Sequence, residues 1–170
     1  MEFYQVKEAF RFLMVDDQEV NLRLLERILS REGYQQLIPT QDPTQVVDLV
    51  RTERPDIILL DLHMPDMDGF QVLQALHEVI PPDDYLPILV LTADITPEAK
   101  QRALTEGAKD FLSKPFDPIE VLLRIRNLLE TRKLHLELRH QNEVLEEKVK
   151  ERTSELEEAK EEILRLLTRW

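Results

Sequence analysis

The chain has 170 residues, with 22 Lys and Arg against 34 Asp and Glu and a formal net charge of −12. That balance argues against a nucleic-acid binder or an anionic-membrane binder, because phosphate surfaces require a basic face. There is no cysteine and there are three glycines, Gly33, Gly69 and Gly107, which removes disulfide scaffolds, Cys-ligated metals, thiol nucleophiles and glycine-rich nucleotide cradles. Apolar runs such as 57–60 and 88–91 fall far short of the roughly 18 residues that span a bilayer. The start, Met1-Glu2-Phe3-Tyr4, lacks the basic and apolar regions of a secretory signal, so a soluble cytoplasmic protein is expected.

In chain order, Phe12-Leu13-Met14-Val15 predicts a strand that ends in Asp16-Asp17. Val20, Leu24, Leu25, Ile28 and Leu29 then recur at helical spacing, and Gly33 stands where a helix C-terminus often places one. Leu37-Ile38 is a weak strand closed by Pro39, and 43–53 reads as a helix with Val46, Val47 and Val50 inward. The run 57–60 is a strand ending in Asp61; after a Pro65/Gly69 turn, Phe70, Leu73, Leu76 and Val79 trace a third helix. Pro81-Pro82-Asp83-Asp84 breaks it. A fourth strand, 88–91, ends in Thr92, and Pro97 opens a helix that stops at Gly107. Phe111-Leu112 is the last strand, followed by Ser113-Lys114-Pro115 and a helix from about Pro118. Five strand–helix repeats with wholly apolar central strands predict an α/β fold, a parallel sheet covered by helices on both faces.

All strand C-termini of such a sheet lie along one edge, where ligands bind. That edge gathers Asp16, Asp17, Asp61, Thr92 and Lys114. Three carboxylates in one crevice repel each other without a cation, and oxygen ligands with no Cys or His point to a hard ion, Mg²⁺ above all. A carboxylate nucleophile beside that ion, with a hydroxyl and an ammonium opposite, is equipped to receive a phosphoryl group. Singly, each residue has a plainer reading: Asp17 as a helix cap, Asp61 as a loop acid, Lys114 as a solvated lysine. His63, His77, His135 and His140 form no metal-ligand spacing, and Met64 and Met67 read as packing residues. The convergence, not any one residue, carries the functional expectation.

As a set, Val15-Asp16-Asp17, the loop 61–69 (DLHMPDMDG), Leu91-Thr92-Ala93 and Ser113-Lys114-Pro115-Phe116 resemble the receiver domain of two-component response regulators over about residues 11–130. The resemblance implies a doubly wound, flavodoxin-like five-stranded sheet of order 2-1-3-4-5 and a phosphorylated Asp61. It also implies that Mg²⁺ is held by Asp17, Asp61 and the His63 backbone carbonyl, with Asp16 acting through water. Thr92 and the Ala93 amide would hold phosphoryl oxygens and Lys114 would pair with them. The Lys114–Pro115 bond would be cis, and Phe111 would be the switch aromatic that moves with Thr92. The implied donor is a phosphohistidine on a sensor histidine kinase or phosphotransfer protein. His63 sits at a variable position beside the acceptor, where it would alter phosphoryl lifetime. Residues 1–10 have no counterpart, and Phe3, Val6 and Phe10 are spaced to pack as a short helix.

Residues 131–170 hold nine Lys and Arg against ten Asp and Glu and no Pro or Gly, so nearly all the net acidity lies in the first 130. The last helix has no stop signal, and from His135 a heptad can be written. Its a positions are His135, Asn142, Val149, Leu156, Ile163 and Trp170; its d positions are Leu138, Leu145, Arg152, Ala159 and Leu166. Asn142 at an a site is a device that fixes parallel two-stranded register, and Glu155 and Lys160 suit a g–e′ ion pair. A parallel homodimer is expected, the alternative being a single amphipathic helix folded back on the receiver. Residues 150–164 also resemble coiled linkers that lead into HD-GYP-type phosphodiesterases, diguanylate cyclases or sensor-kinase domains. No such output domain lies within these residues, and the end on Arg169-Trp170 reads as a truncation.

The expected function is therefore a phospho-acceptor that signals through a dimeric helix, not a turnover enzyme. Two rivals stand beside it. A Mg²⁺-dependent phosphatase or hydrolase would want a second acid two residues after Asp61, where His63 stands. A non-phosphorylated interaction module would use the coil alone.

Overall fold

The computed structural model describes residues 7–94 and 96–170; Phe3 and Val6 of the expected N-terminal helix lie outside the described residues. Five strands, β1 (Arg11–Val15), β2 (Gln36–Thr40), β3 (Ile57–Leu60), β4 (Ile88–Thr92) and β5 (Asp110–Ser113), pair in parallel in the order β2-β1-β3-β4-β5. Between them run α1 (Glu19–Arg31), α2 (Val46–Glu53, entered through a 3₁₀ turn), α3 (Gly69–Val79) and α4 (Pro97–Thr105), and α5 (Pro118–Leu167) follows β5. This is the doubly wound, flavodoxin-like arrangement.

Strand periodicity divides the core into two layers. Leu13, Val15, Ile58, Leu60, Val90 and Phe111 point to one face, where Val46 of α2, Leu73 and Leu76 of α3 and Ala103 of α4 cover them. Their neighbours Phe12, Met14, Ile57, Leu59, Leu89 and Leu112 point to the other face, under Leu22, Leu25 and Leu29 of α1 and Val121, Ile125 and Leu128 of α5. Because both faces are covered, β1, β3 and β4 are apolar throughout instead of alternating. Phe10 also packs against the second layer.

Three local expectations shift. In α1, Leu22 turns inward, while Val20 is 69% and Leu24 45% exposed. Pro39 does not close β2 but sits inside it, tolerated because β2 is an edge strand with one side free of ladder bonds. In α2, Val46 is buried, and Leu49 accompanies Val50 against the core in place of Val47.

Helix α5 runs for 50 residues and buries only Val121, Ile125, Leu128, Leu129 and Arg132. By its contacts the chain divides into two compact units, residues 1–132 and 133–170. Within the second, the heptad side chains Leu138, Leu145, Val149, Leu156, Ile163 and Leu166 are each at least half exposed. Ion pairs along the helix, including Lys133–Glu137, Arg139–Glu143 and Arg165–Glu162, lace its surface. No helix among the described residues is long and apolar enough to cross a membrane.

Candidate functional site

The C-terminal edge of the sheet brings the candidate residues together as the parallel topology requires. β1 delivers Asp16 and Asp17, and β3 delivers Asp61, whose N–H donates to the Val15 carbonyl at 3.0 Å. Asp16 and Asp61 are 3% and 7% exposed. One carboxylate oxygen from each of Asp16, Asp17 and Asp61 lies within 4.8 Å of the others.

Asp16 is fully engaged. Its Oδ1 accepts the Gln18 N–H at 2.9 Å, and Asn21 Nδ2, one turn into α1, donates to both its oxygens, at 3.3 and 3.1 Å. Asn21 was invisible in the sequence, since a polar residue in the first turns of a helix carries no positional signal. Asp17 does not cap α1, whose N-cap residue is Gln18; its Oδ1 is buried with no hydrogen-bond partner. An unsatisfied carboxylate oxygen facing two more carboxylates is the donor set that a hard divalent cation fits. Asp16, Asp17 and Asp61 are the side chains that could hold it.

Lys114, past the end of β5, reaches across to the same crevice. Its Nζ is 2.7 Å from Asp16 Oδ2 and 3.5 Å from Asp61 Oδ2. Its own N–H donates to the Thr92 carbonyl at 2.8 Å, and the Lys114–Pro115 peptide is cis. Burial pushes the Asp61 carboxyl above its ordinary range; the Lys114 charge opposes this, and the Asp16 charge adds to it. One ammonium among three carboxylates leaves the crevice with an excess of negative charge, which a divalent cation would offset.

Thr92 is fully buried, and its Oγ1 accepts the Asp94 N–H at 3.3 Å. Ala93 beside it is exposed. Phe111 is turned into the core, 8% exposed, among Val90 and the α4 contacts. His63 is exposed; its N–H points to Asp61 Oδ1 at 3.4 Å, and its Nε2 lies 3.7 Å from Asp94 Oδ2. Asp94, which no sequence motif singles out, is held by Thr96, whose N–H and hydroxyl both donate to it, and these bonds lower its carboxyl below the usual value. Met64 and Met67 pack in the core as their type suggests.

Gly69 closes the loop that follows Asp61. A Cβ there would sit 2.5 Å from the Asp61 carbonyl oxygen and 2.6 Å from the Leu62 Cα. Only glycine lets α3 start this close to the Asp61 and Leu62 backbone. Asp68 caps the helix, accepting the Gln71 N–H while Gln71 returns a bond to the Asp68 N–H.

Comparison with known proteins agrees with this geometry. The family model for the response regulator receiver domain matches residues 12–126. The response regulator PleD of Caulobacter vibrioides is 41% identical over 118 residues, covering 69% of this chain and 26% of PleD. MprA of Mycolicibacterium vanbaalenii is 41% identical over 119 residues, covering 70% of this chain and 50% of MprA. The chain thus spans half or less of these relatives' length. Among solved structures, the receiver domain of an HD domain-containing protein from Pseudomonas fluorescens Pf-5 superposes with a TM-score of 0.66 at 34% identity, covering 73% of this chain and 97% of that one. A sheet edge that presents three acids, a buried threonine and a reaching lysine, within a matched span of this extent, makes the chain a member of the response regulator receiver family.

Proposed function

We propose that Asp61 is the phospho-acceptor of a two-component phosphorelay. An oxygen of Asp61 attacks the phosphorus of a phosphohistidine on a sensor histidine kinase or phosphotransfer protein. The N–P bond breaks, its electron pair returns to the imidazole, and an aspartyl phosphate remains. Thr92 and the Ala93 amide hold the phosphoryl oxygens, and Lys114 shifts from Asp16 and Asp61 to pair with them. Asp17, Asp61 and the His63 carbonyl would hold Mg²⁺, with Asp16 acting through water, and the bound ion would supply positive charge against the phosphoryl oxygens. The observation that carries this reading is Lys114 Nζ at 3.5 Å from Asp61 Oδ2 in a pocket of three clustered carboxylates.

The output side of the proposal uses Phe111 and α5. Phosphorylation draws Thr92 toward the phosphate and lets Phe111 repack, and the change passes along α5 to a parallel homodimer seam of Leu138, Asn142, Leu145, Val149, Leu156, Ala159, Ile163 and Leu166. Residues 11–130 act as the receiver, 131–170 as the signalling helix and 1–10 as an extension. The chain itself is a phospho-acceptor without turnover on outside substrates, acting in the cytoplasm and feeding an output domain beyond these residues. The kinship with a receiver from an HD domain-containing protein supports an output of that type.

The test is acid-labile labelling with acetyl phosphate and Mg²⁺, alongside molar mass by light scattering with and without beryllofluoride. Wild type should label at one aspartate, Asp61→Asn should not, and beryllofluoride should change the assembly. Labelling of Asp61→Asn at the wild-type level would overturn the acceptor. Multiple turnover on a phosphoester would install the hydrolase in its place.

A further inference from the structure

The core-facing stripe of α5 (Val121, Ile125, Leu128) continues to position 132, where the residue is not apolar but an arginine, 9% exposed. Its guanidinium is enclosed by partners. Nε lies 3.4 Å from Asp56 Oδ1; NH1 is 3.1 Å from Asp84 Oδ1 and donates to the Tyr85 carbonyl at 2.6 Å. The Tyr85 side chain hydrogen-bonds Thr131, the residue before Arg132, and the second Asp56 oxygen accepts the Arg11 N–H at 2.9 Å. A buried arginine in an otherwise apolar stripe is costly to desolvate, so its presence here points to a specifying role more than to stability.

The placement of those partners is the informative part. Asp56 immediately precedes β3, whose far end carries Asp61. Asp84 and Tyr85 lie in the segment leading into β4, whose far end carries Thr92. The two strands that present the acceptor and the phosphate-sensing hydroxyl are therefore both tied, at their opposite ends, to one side chain of α5. Each strand is four or five residues long and buried throughout, so a shift at one end is transmitted as a rigid displacement and not absorbed. We propose that Arg132 is a coupling clamp, the positioning residue through which the state of β3 and β4 reaches α5. This rests on the reading of α5 as the transmitting element. The fork geometry matters: a guanidinium spans Asp56, Asp84 and a carbonyl at once, whereas a lysine ammonium reaches fewer of them.

The experiment follows amide hydrogen exchange in the full chain, with Mg²⁺ alone and with Mg²⁺ plus beryllofluoride, in wild type, Arg132→Met, Arg132→Lys and the Asp56→Asn/Asp84→Asn double variant. Wild type should show a beryllofluoride-dependent change both in the loops 61–69 and 92–96 and in residues 125–140. The variants should keep the loop response and the wild-type acetyl phosphate labelling rate, and lose the response in 125–140. Should Arg132→Met fail to fold, the lysine and double variants carry the same comparison. A loop response that passes undiminished to 125–140 in the variants overturns the clamp alone. A wild-type loop response with no change in 125–140 overturns the transmitting role of α5 and the clamp with it.

Discussion

Lys114 Nζ lies 2.7 Å from Asp16 Oδ2, closing an ion pair between residues 98 positions apart in the chain. The pair is nearly enclosed, with the two side chains 16% and 4% exposed. Removing one partner of a buried pair leaves an uncompensated charge and costs about 3–5 kcal/mol. Lys114→Met should therefore destabilise the chain by roughly 2–4 kcal/mol in metal-free buffer, below the full range because Asp16 keeps its bonds from Gln18 and Asn21. Millimolar Mg²⁺ should narrow the gap by supplying charge to the same crevice. Urea unfolding of both proteins with EDTA and with Mg²⁺ checks this; a deficit indifferent to Mg²⁺ would count against a shared electrostatic pocket.

Asp61→Asn should have the opposite effect. The raised pKa of Asp61 means that the folded state holds its ionised form less well than the unfolded chain does. For such a group the favourable contribution is complete below the unfolded pKa, about 3.9, and is lost as pH rises through the higher folded value. At neutral pH, without metal, wild type thus carries an electrostatic penalty that the amide lacks. The variant should be more stable by on the order of 1 kcal/mol, which is about 2–4 °C in melting temperature for a chain of this size. The advantage should vanish below about pH 4. Thermal melts in EDTA across pH 3–8 measure it, and a variant that melts below wild type at pH 7 contradicts the assignment.

How far the site was readable follows from what each residue does. Asp61, Thr92 and Lys114 end abrupt apolar runs, and a parallel sheet forces such ends onto one edge, so pattern and topology together located them. Asn21 and Asp94 act by holding neighbours, which a helix or loop position does not advertise. Val20 and Leu24 satisfy helical periodicity yet are exposed, because Leu22 lies nearer the centre of the α1 stripe that includes Leu25 and Leu29. Arg132 resembles any surface arginine until three-dimensional packing encloses it. Gly69 read as a turn residue, but among the described glycines its reason differs: Gly33 and Gly107 adopt positive φ, at 100° and 117°, while Gly69 is needed for close approach.

That distinction gives a third expectation. Gly69→Ala places a methyl within 2.5–2.8 Å of Asp61 and Leu62 atoms, two of them backbone, so the loop carrying Asp61 must move. A loss of about 2–4 kcal/mol is expected, accompanied by slower acetyl phosphate labelling. Gly107→Ala has open space around its Cβ and strains only the backbone, costing about 1 kcal/mol with labelling unchanged. Equal labelling rates in the two variants would show that the close approach at Gly69 does not position Asp61.

The orphaned Asp17 oxygen supplies a fourth. With no hydrogen-bond partner at Oδ1, Asp17→Asn breaks no bond at that oxygen and removes one of three clustered carboxylates, so stability in EDTA should hold or rise. Mg²⁺ affinity should fall at least about tenfold, because one carboxylate of a small hard-ion set is gone. Magnesium titration followed by NMR shifts of residues 16–18 and 61–63 separates these effects. Undiminished affinity would remove Asp17 from the ligand set.

The helix beyond the receiver offers a clean geometric test, because the chain has no cysteine and a single introduced thiol reports alone. In a parallel, in-register dimer each d position faces its own copy, close enough for the roughly 4.4–6.8 Å Cα separation of a disulfide. Leu145→Cys should cross-link to itself quantitatively under mild oxidation at micromolar concentration. Val144→Cys, one position off the seam, should not. An antiparallel pairing sets position 145 against a different a residue and leaves both variants uncross-linked, and a monomeric helix does the same at low concentration; light scattering on the unoxidised Leu145→Cys protein tells those two apart.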